Sequence, residues 1–212
     1  MRYVFFDVEG ANPRLRTMCS FGYVVTDEDF NVTERDDIAI NPHSEYDWYV
    51  AKNIIKYSTD ELREMPSFGA VYRRISGLLT GADTLIFGYS IINDLDYINA
   101  ECKRYRKKSL DFRYYDIQKL VCLYRNEKNQ IGLENAASMF DIVDEADKHR
   151  SDRDAYMSML VLRGLISRGA FDISSLPAEA TGENRSGLIS WREQRHNKKR
   201  RSNRRRTEKK PQ

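Results

Sequence analysis

The sequence is poor in the residues that build disulfide-bonded or zinc-bound scaffolds. Its 212 residues include three cysteines and three histidines, and the cysteines are scattered without a Cys-x-x-Cys spacing. This pattern excludes a disulfide framework and a zinc knuckle. A chain of this length can bury enough apolar surface to fold without either support. We therefore expect one globular domain of the size of a catalytic domain, stabilised by its own hydrophobic core.

Long hydrophobic runs are also missing. No stretch approaches the ~20 apolar residues that a membrane-spanning helix requires, so we expect no membrane partner. Residues 2–6 (RYVFF) already read as a strand, without the charged, apolar and small-residue zones of a secretory signal peptide. The expected location is a reducing compartment, the cytoplasm, with the nucleus as an alternative if the source is eukaryotic.

The net charge of +3 combines two unlike parts. Residues 185–212 carry 12 Lys and Arg against two Asp and Glu, a formal charge of +10, which leaves −7 for residues 1–184. An acidic body suits a cation-binding centre, and a basic tail suits a polyanion. We expect residues 176–212 to form a disordered tail that contacts the phosphate backbone of a nucleic acid. A solubilising tail without a specific partner and a nuclear-import signal are the alternatives.

Hydrophobic periodicity predicts strands first and strand–helix alternation afterwards. Strand-like segments occupy residues 2–8, 18–26, 30–40, 84–87 and 112–115. Helical spacing covers residues 68–79, 92–105, 117–125, 133–140 and 151–167, and Ser58 with Asp60 marks a further helix start. This order predicts an α/β domain over residues 1–175. Its mixed five-stranded sheet would join an antiparallel three-strand meander to parallel strands, with helices on both faces.

Two acids close the first predicted strand. Asp7 and Glu9 project from the same face, because side chains alternate along a strand, and stand roughly 6 to 7 Å apart. A metal ion could lie between them, although acids often simply mark the end of a strand. The apolar residues 3–6 before them indicate a central strand, whose end faces the crevice where open sheets bind ligands.

Helical phase distinguishes Asp94 from Asp96. Asp94 lies at the edge of an apolar stripe that includes Ile91 and Ile98, whereas Asp96 falls on the polar side. We therefore expect Asp94 to point inward and Asp96 to be solvated. The alternative for Asp94 is an acid in the first helical turn that the helix dipole favours.

Asp154 shares a helix face with the apolar Met157 and Val161. A carboxylate on a core-facing stripe requires a cation or a hydrogen-bond network nearby, because burying it without a partner is costly. His149 lies five residues earlier, ahead of the helix, where its ring could reach the same cleft. A cap or a surface histidine is the alternative. Four inward acids and a histidine at the ends of different elements together favour a divalent-cation site.

Three segments together resemble the motifs of the DEDDh family of 3'-5' exonucleases. They are residues 6–10 (FDVEG), 88–94 (GYSIIND) and 149–155 (HRSDRDA), in the family's order and spacing. This family has an RNase H-like fold and includes polymerase proofreading exonucleases, oligoribonuclease and RNase T. The resemblance covers residues 1–168, and residues 132–140 resemble the helix before the third motif. Gly10 and Tyr89-Ser90 stand where the family usually has a threonine and a His-Asn pair.

The resemblance implies hydrolysis of phosphodiester bonds from the 3' end of nucleic acid, with single strands favoured and nucleoside 5'-monophosphates as products. It implies two Mg2+ or Mn2+ ions held by Asp7, Glu9, Asp94 and Asp154. Asp7 would bridge both ions, Glu9 and Asp154 would serve the ion beside the attacking water, and Asp94 would act through the other. His149 would be the general base.

Gly10, Ala11 and Tyr89 are the candidates for contact with the 3'-terminal nucleotide, because a glycine at the strand end permits a close approach. A catalytically silent nucleic-acid-binding or polymerase-associated module of the same fold is the alternative function. An endonuclease of the RNase H type would use a similar carboxylate cluster, but the spacing from His149 to Asp154 disfavours it. DNA or RNA is the expected partner, and a polymerase or a second copy of the chain is a further possibility.

Overall fold

A six-stranded mixed sheet forms the centre of the computed structural model, which describes residues 1–53, 57–143 and 150–185. Its strands are β1 (Arg2–Asn12), β2 (Thr17–Thr26), β3 (Val32–Ala39), β4 (Thr84–Gly88), β5 (Phe112–Asp116) and β6 (Thr181–Asn184). They lie in the order β3-β2-β1-β4-β5-β6. β1, β2 and β3 are antiparallel neighbours, and β4 and β5 run parallel to β1. The predicted α/β fold with a meander followed by parallel strands is confirmed, but the sheet has six strands instead of five.

The sixth strand comes from residues 176–184, where the sequence predicts a disordered tail. β6 pairs antiparallel with β5, and its four residues, TGEN, show no hydrophobic alternation, so periodicity carries no strand signal. Hydrogen bonds anchor it instead: the buried Asn184 amide donates to the Leu110 carbonyl at 2.7 Å and exchanges bonds with Asn99. The folded region therefore reaches Asn184 and does not stop at residue 175. Residues 186–212, with most of the basic segment, lie outside the described residues.

Helices cover both faces of this sheet. Those of the described ranges are α1 (Trp48–Asn53), α2 (Thr59–Glu64), α3 (Phe68–Leu79), α4 (Ile92–Arg104), α5 (Ile117–Arg125), α6 (Leu133–Ser138) and α7 (Ser151–Ser167). α3, α5 and α7 have the predicted bounds. α2 begins with a capping box, in which Ser58 and Glu61 each accept the other's backbone amide. None of the described helices has the length and apolarity to cross a membrane.

Alternation along β1 separates two apolar cores. Val4 and Phe6 pack with α3 and α4 on one face, whereas Tyr3 and Phe5 pack with α5, α6 and α7 on the other. The same alternation places Asp7 and Glu9 on the face of Tyr3 and Phe5. Both acids therefore project toward α7.

Candidate metal centre

Three carboxylates from two elements meet where β1 passes under α7. One carboxylate oxygen each of Asp7, Glu9 and Asp154 lies within 4.8 Å of the others. All three side chains are half-buried. The two acids of β1 share a strand face, and Asp154 lies in the first turn of α7, which packs on that face. The structure thus brings together three of the four acids that the sequence analysis predicts as metal ligands.

Burial and mutual repulsion raise the pKa of the two acids of β1. Burial raises the pKa of Asp7 to about 8, with help from the charges of Asp154 and Asp37. Burial, followed by the charges of Asp7, Asp154 and Asp37, raises the pKa of Glu9 to about 9. Such carboxylates cannot all be ionised near neutral pH unless a cation compensates their charge. A set of hard oxygen donors of this kind fits Mg2+ or Mn2+.

Asp94 approaches the cluster from the first turn of α4. Its side chain is 6% exposed, and burial raises its pKa well above the usual range, with further contributions from the charges of Asp7 and Glu9. The backbone amide of Val8 donates a hydrogen bond to it. Asp94 therefore lies beside the three clustered carboxylates, on the inward side that its helical phase predicts.

The prediction that Asp96 is solvated is wrong. Asp96 is 9% exposed, and the three successive residues Asp94, Leu95 and Asp96 are all buried. Successive helical residues are about 100° apart, so burial of three in a row means that more than one helix face is covered at the start of α4. A single apolar stripe in the sequence marks only one buried helix face, so it does not predict that Asp96 is buried as well.

Gly22 of β2 allows α7 to lie directly on the sheet. It is the pairing partner of Asp7, and a Cβ added to it would fall 2.0 Å from backbone atoms of Ser151 and Asp152. Only glycine leaves room for a backbone at that distance. Because the helix start is held against β2, Asp154 is carried toward the neighbouring Asp7 on β1.

A polar network on β3 also holds the start of α7. Ser151 Oγ donates to one oxygen of Asp37 at 2.7 Å, and the Tyr57 hydroxyl donates to the other at 2.9 Å. Arg35 Nε lies 2.7 Å from an Asp152 oxygen. Residues 34–37 of β3 (ERDD) are all charged, so hydrophobic alternation does not indicate which of them faces the centre. The charge of Asp37 nevertheless contributes to the raised pKa of Asp7 and Glu9.

Arg153 is a second functional candidate that the motif pattern does not single out. Its guanidinium is 3% exposed, and Nη1 lies 2.7 Å from both Asp154 Oδ1 and Glu134 Oε1. Hydrogen bonds to these two carboxylates keep the pKa of Arg153 above its usual value although burial opposes this. Arg153 thereby joins α6 to α7 and orients one of the clustered carboxylates.

The candidates for nucleotide contact lie outside the carboxylate cluster. Gly10 follows Glu9 directly and packs against Tyr97, whose ring would lie 2.5 Å from a Cβ at this position. Ala11 is fully buried, and its carbonyl accepts the Asp47 amide at 3.0 Å. The side chain of Ala11 belongs to a small core, and the backbone at Gly10 directly adjoins Glu9.

Tyr89 is tied into the protein by its hydroxyl. The hydroxyl donates to the Ile131 carbonyl at 2.8 Å, and the ring packs against the core beneath α7. The next residue, Ser90, has φ +58°, a left-handed conformation that turns the chain from β4 toward α4. His149, the predicted general base, falls in residues 144–149, which lie outside the described residues.

The fold and the carboxylate cluster define a nuclease-like centre on an RNase H-like sheet. The chain belongs to the exonuclease family: the family model RNase_T, described as "Exonuclease", matches residues 4–162. The family predicted from the three motifs is thus confirmed. A comparison with curated proteins finds no match.

Solved structures of exonuclease I share the fold. E. coli exonuclease I in complex with a dT13 oligonucleotide is 20% identical with a TM-score of 0.65, over 80% of this chain and 42% of that one. Its complex with a dA16 oligonucleotide is 18% identical with a TM-score of 0.64, over 80% and 41%. A product-bound exonuclease I structure is 20% identical with a TM-score of 0.63, over 80% and 44%. The chain therefore spans less than half the length of these proteins.

Proposed function

We propose that this chain is a metal-dependent 3'-5' exonuclease that releases nucleoside 5'-monophosphates from single strands of DNA or RNA. The observation that carries this proposal is the cluster of Asp7, Glu9 and Asp154 within 4.8 Å, with Asp94 beside it, in a member of the exonuclease family. The oligonucleotides bound to E. coli exonuclease I support a single strand as the substrate.

Asp7, Glu9, Asp94 and Asp154 would hold two divalent cations, Mg2+ or Mn2+. When bound, such a pair stabilises the charge that develops on the phosphoryl oxygens and on the leaving 3' oxygen, and lowers the pKa of water. Asp7 interacts with all of the others, in keeping with a bridging role. His149 would take the proton of the attacking water, since its unperturbed pKa of about 6.5 suits proton transfer near neutral pH.

The remaining candidates would form or support the binding site of the substrate. The backbone at Gly10 would lie against the 3'-terminal nucleotide. Ala11 and Tyr89 would act by fixing the two protein segments that flank this nucleotide. Residues 186–212 would contact the phosphate backbone beyond the active site, because their charge neutralises phosphates independently of sequence. A cytoplasmic location, and a polymerase or a second copy of the chain as partner, remain further proposals.

Matched DNA and RNA oligonucleotides, single- and double-stranded and labelled at either end, test the function with and without Mg2+ or Mn2+. The expected result is metal-dependent shortening from the 3' end to mononucleotides, and no cleavage of a circular single strand, which has no end. Cleavage of the circle would indicate an endonuclease. No hydrolysis with either metal would indicate the silent module. Retained activity in Asp7→Ala or Asp154→Ala would contradict the metal assignment.

A further inference from the structure

Two aromatic side chains stand in solvent next to the end of β1. Trp48 is 74% exposed and Tyr49 is 61% exposed, more than any other aromatic side chain in the part of the chain that the structure describes. They are consecutive residues at the start of α1. Exposed aromatic side chains in one place are typical of a binding surface.

Backbone hydrogen bonds hold this pair close to the carboxylate centre. The Asp47 amide donates to the Ala11 carbonyl, and the Asn12 side-chain amide donates to the Glu45 carbonyl, both at 3.0 Å. Ala11 lies two residues beyond Glu9, about 7 Å along the strand. Trp48 and Tyr49 are therefore held at the end of β1, the strand that carries Asp7 and Glu9, a few residues beyond Glu9.

The helix start also fixes the orientation of the pair. The Asp47 carboxylate accepts the backbone amides of Tyr49 and Val50 at 3.0 and 3.2 Å and so caps α1. Val50 is buried, which leaves the two preceding side chains pointing away from the core. A capped, anchored helix start can present aromatic rings without a large loss of entropy on binding.

The turn that follows the end of β1 carries positive charge. The turn between β1 and β2 contains Arg14 and Arg16 and no acid, and Arg14 is exposed. Arg104 reaches this turn from α4, where Nη2 donates to the Leu15 carbonyl at 2.8 Å. We name the turn (residues 13–16) together with residues 45–49 the upstream surface. It contains two exposed aromatic rings and two arginines together with Glu45 and Asp47, and the Asp47 carboxylate is occupied in capping α1.

We propose that the upstream surface binds the single strand next to its 3'-terminal nucleotide, with Trp48 and Tyr49 stacked on bases and the exposed Arg14 facing a phosphate. This inference rests on the proposed function and deepens it. Cations at the clustered carboxylates would contact only the phosphate that is cleaved, so affinity for the rest of the strand has to come from groups outside the centre. Stacking of bases on exposed aromatic rings supplies such affinity without sequence preference.

Kinetics on substrates of different length test the proposal in the full chain. With an octanucleotide, Trp48→Ala/Tyr49→Ala should raise KM about 10-fold or more, with little change in kcat, because base stacking on aromatic rings contributes this much. The p-nitrophenyl ester of a nucleoside 5'-monophosphate has no second nucleotide that could reach the upstream surface, so its kcat/KM should stay unchanged. Trp48→Phe/Tyr49→Phe keeps two rings and should retain most of the affinity. Leu123→Ala, at an apolar residue elsewhere that is 41% exposed, is the control and should have no effect.

Fluorescence gives a second measurement that does not depend on hydrolysis. The chain has two tryptophans, so Trp191→Phe leaves Trp48 as the single reporter. An octanucleotide added with Ca2+ in place of Mg2+ should quench Trp48 emission, and a mononucleotide at the same concentration should not. Absence of quenching, or an equal loss of activity on the p-nitrophenyl ester and the octanucleotide, would overturn the proposal.

The outcomes separate this inference from the proposed function. If the wild-type chain hydrolyses strands but the double alanine variant has an unchanged KM, the upstream surface is wrong and the exonuclease remains. If nothing is hydrolysed but the octanucleotide quenches Trp48, the surface stands and the proposed function fails. A shift from dimer to monomer in the alanine variant, with unchanged KM, would assign the aromatic pair to contact between two copies and overturn strand binding.

Discussion

The carboxyl groups of Asp7 and Glu9 link protonation to metal binding. Their pKa values, about 8 and about 9, lie far above the ~4 of an unfolded chain. The native state without metal therefore binds more protons than the unfolded state between these limits. The contribution of these two groups to the free energy of unfolding is complete below about pH 4. It is lost as the pH rises through their pKa values in the folded state.

We therefore predict that the metal-free protein melts at progressively lower temperature as the pH rises from about 5 to about 9. Addition of Mg2+ should raise the melting temperature more at the alkaline end, where the carboxylates are ionised and repel each other. Asp7→Asn should remove much of the pH dependence and abolish activity. Calorimetry across the pH range measures this, and a metal-free melting temperature that rises with pH would contradict it.

Arg153 tests whether a carboxylate needs to be oriented before it can serve the centre. Arg153→Ala removes the bond to Asp154 and should lower the apparent affinity for Mg2+ about 10-fold, in the range seen when a partner of a metal ligand is removed. It should also cost about 1–3 kcal/mol of stability, because the link to Glu134 is lost with it.

The matched control for this variant is Arg163→Ala, which removes an exposed arginine of the same helix. It should change neither the Mg2+ dependence of kcat nor the urea midpoint. Arg153→Lys retains a charge but not the two-sided hydrogen bonding of the guanidinium, so an intermediate metal affinity is expected. Equal Mg2+ titrations for the Arg153→Ala and Arg163→Ala variants would show that Arg153 has no orienting role.

At the scale of elements, the approach of α7 to β2 decides the geometry of the centre. The helix start rests on Gly22 and is held laterally by Asp37 and Arg35 of β3. Three strands thus contribute to the geometry at the first turn of α7. β1 supplies two acids of the centre, β2 sets the distance between the helix and the sheet, and β3 supplies the hydrogen bonds that hold the helix start. The third acid, Asp154, follows from the position of that turn.

Gly22→Ala should displace α7 and separate Asp154 from Asp7. A Cβ within 2.0 Å of backbone atoms cannot be accommodated by a side-chain rotation, so we expect a loss of about 1–3 kcal/mol or more and at least ~100-fold lower activity. Gly77→Ala is the control, because its Cβ would meet no atom within 4 Å on the exposed face of α3. That change should stabilise the helix by about 0.5–1 kcal/mol. Equal activities of both variants would argue against the role of the close approach.

The whole molecule combines an acidic folded body with a basic segment beyond β6. The body ends with a strand whose Asn184 is bonded to Leu110 and Asn99, so the two parts can be separated at a defined place. A chain cut after Arg185 keeps β6, whereas a chain cut after Ser175 loses it.

We predict that the chain 1–185 melts at the temperature of the full chain but binds single strands more weakly and with a flatter salt dependence. Each phosphate contact that is lost reduces the slope of log affinity against log salt by about 0.7 for single strands. The chain 1–175 should be clearly less stable, since β5 would lose its antiparallel neighbour. Unchanged affinity and slope in the chain 1–185 would identify residues 186–212 as a solubilising tail.

Local patterns in the sequence determined much of the architecture. The bounds of α3, α5 and α7 follow from the apolar spacing, and the shared face of Asp7 and Glu9 follows from strand alternation. These features are readable because periodicity and chain geometry act between residues that are near in sequence. The motif order, which indicates the exonuclease family, is likewise carried by short segments.

Only the tertiary structure decided the features that depend on residues far apart in sequence. Asp37 and Gly22 contact the start of α7, from which they are separated by more than one hundred residues of sequence. Asp96 is buried, although the apolar pattern of its own helix predicts that it is exposed. β6 is a strand because β5 offers it a free edge, although TGEN has no strand periodicity. Packing and hydrogen bonding between distant segments set these positions, and no local pattern records them.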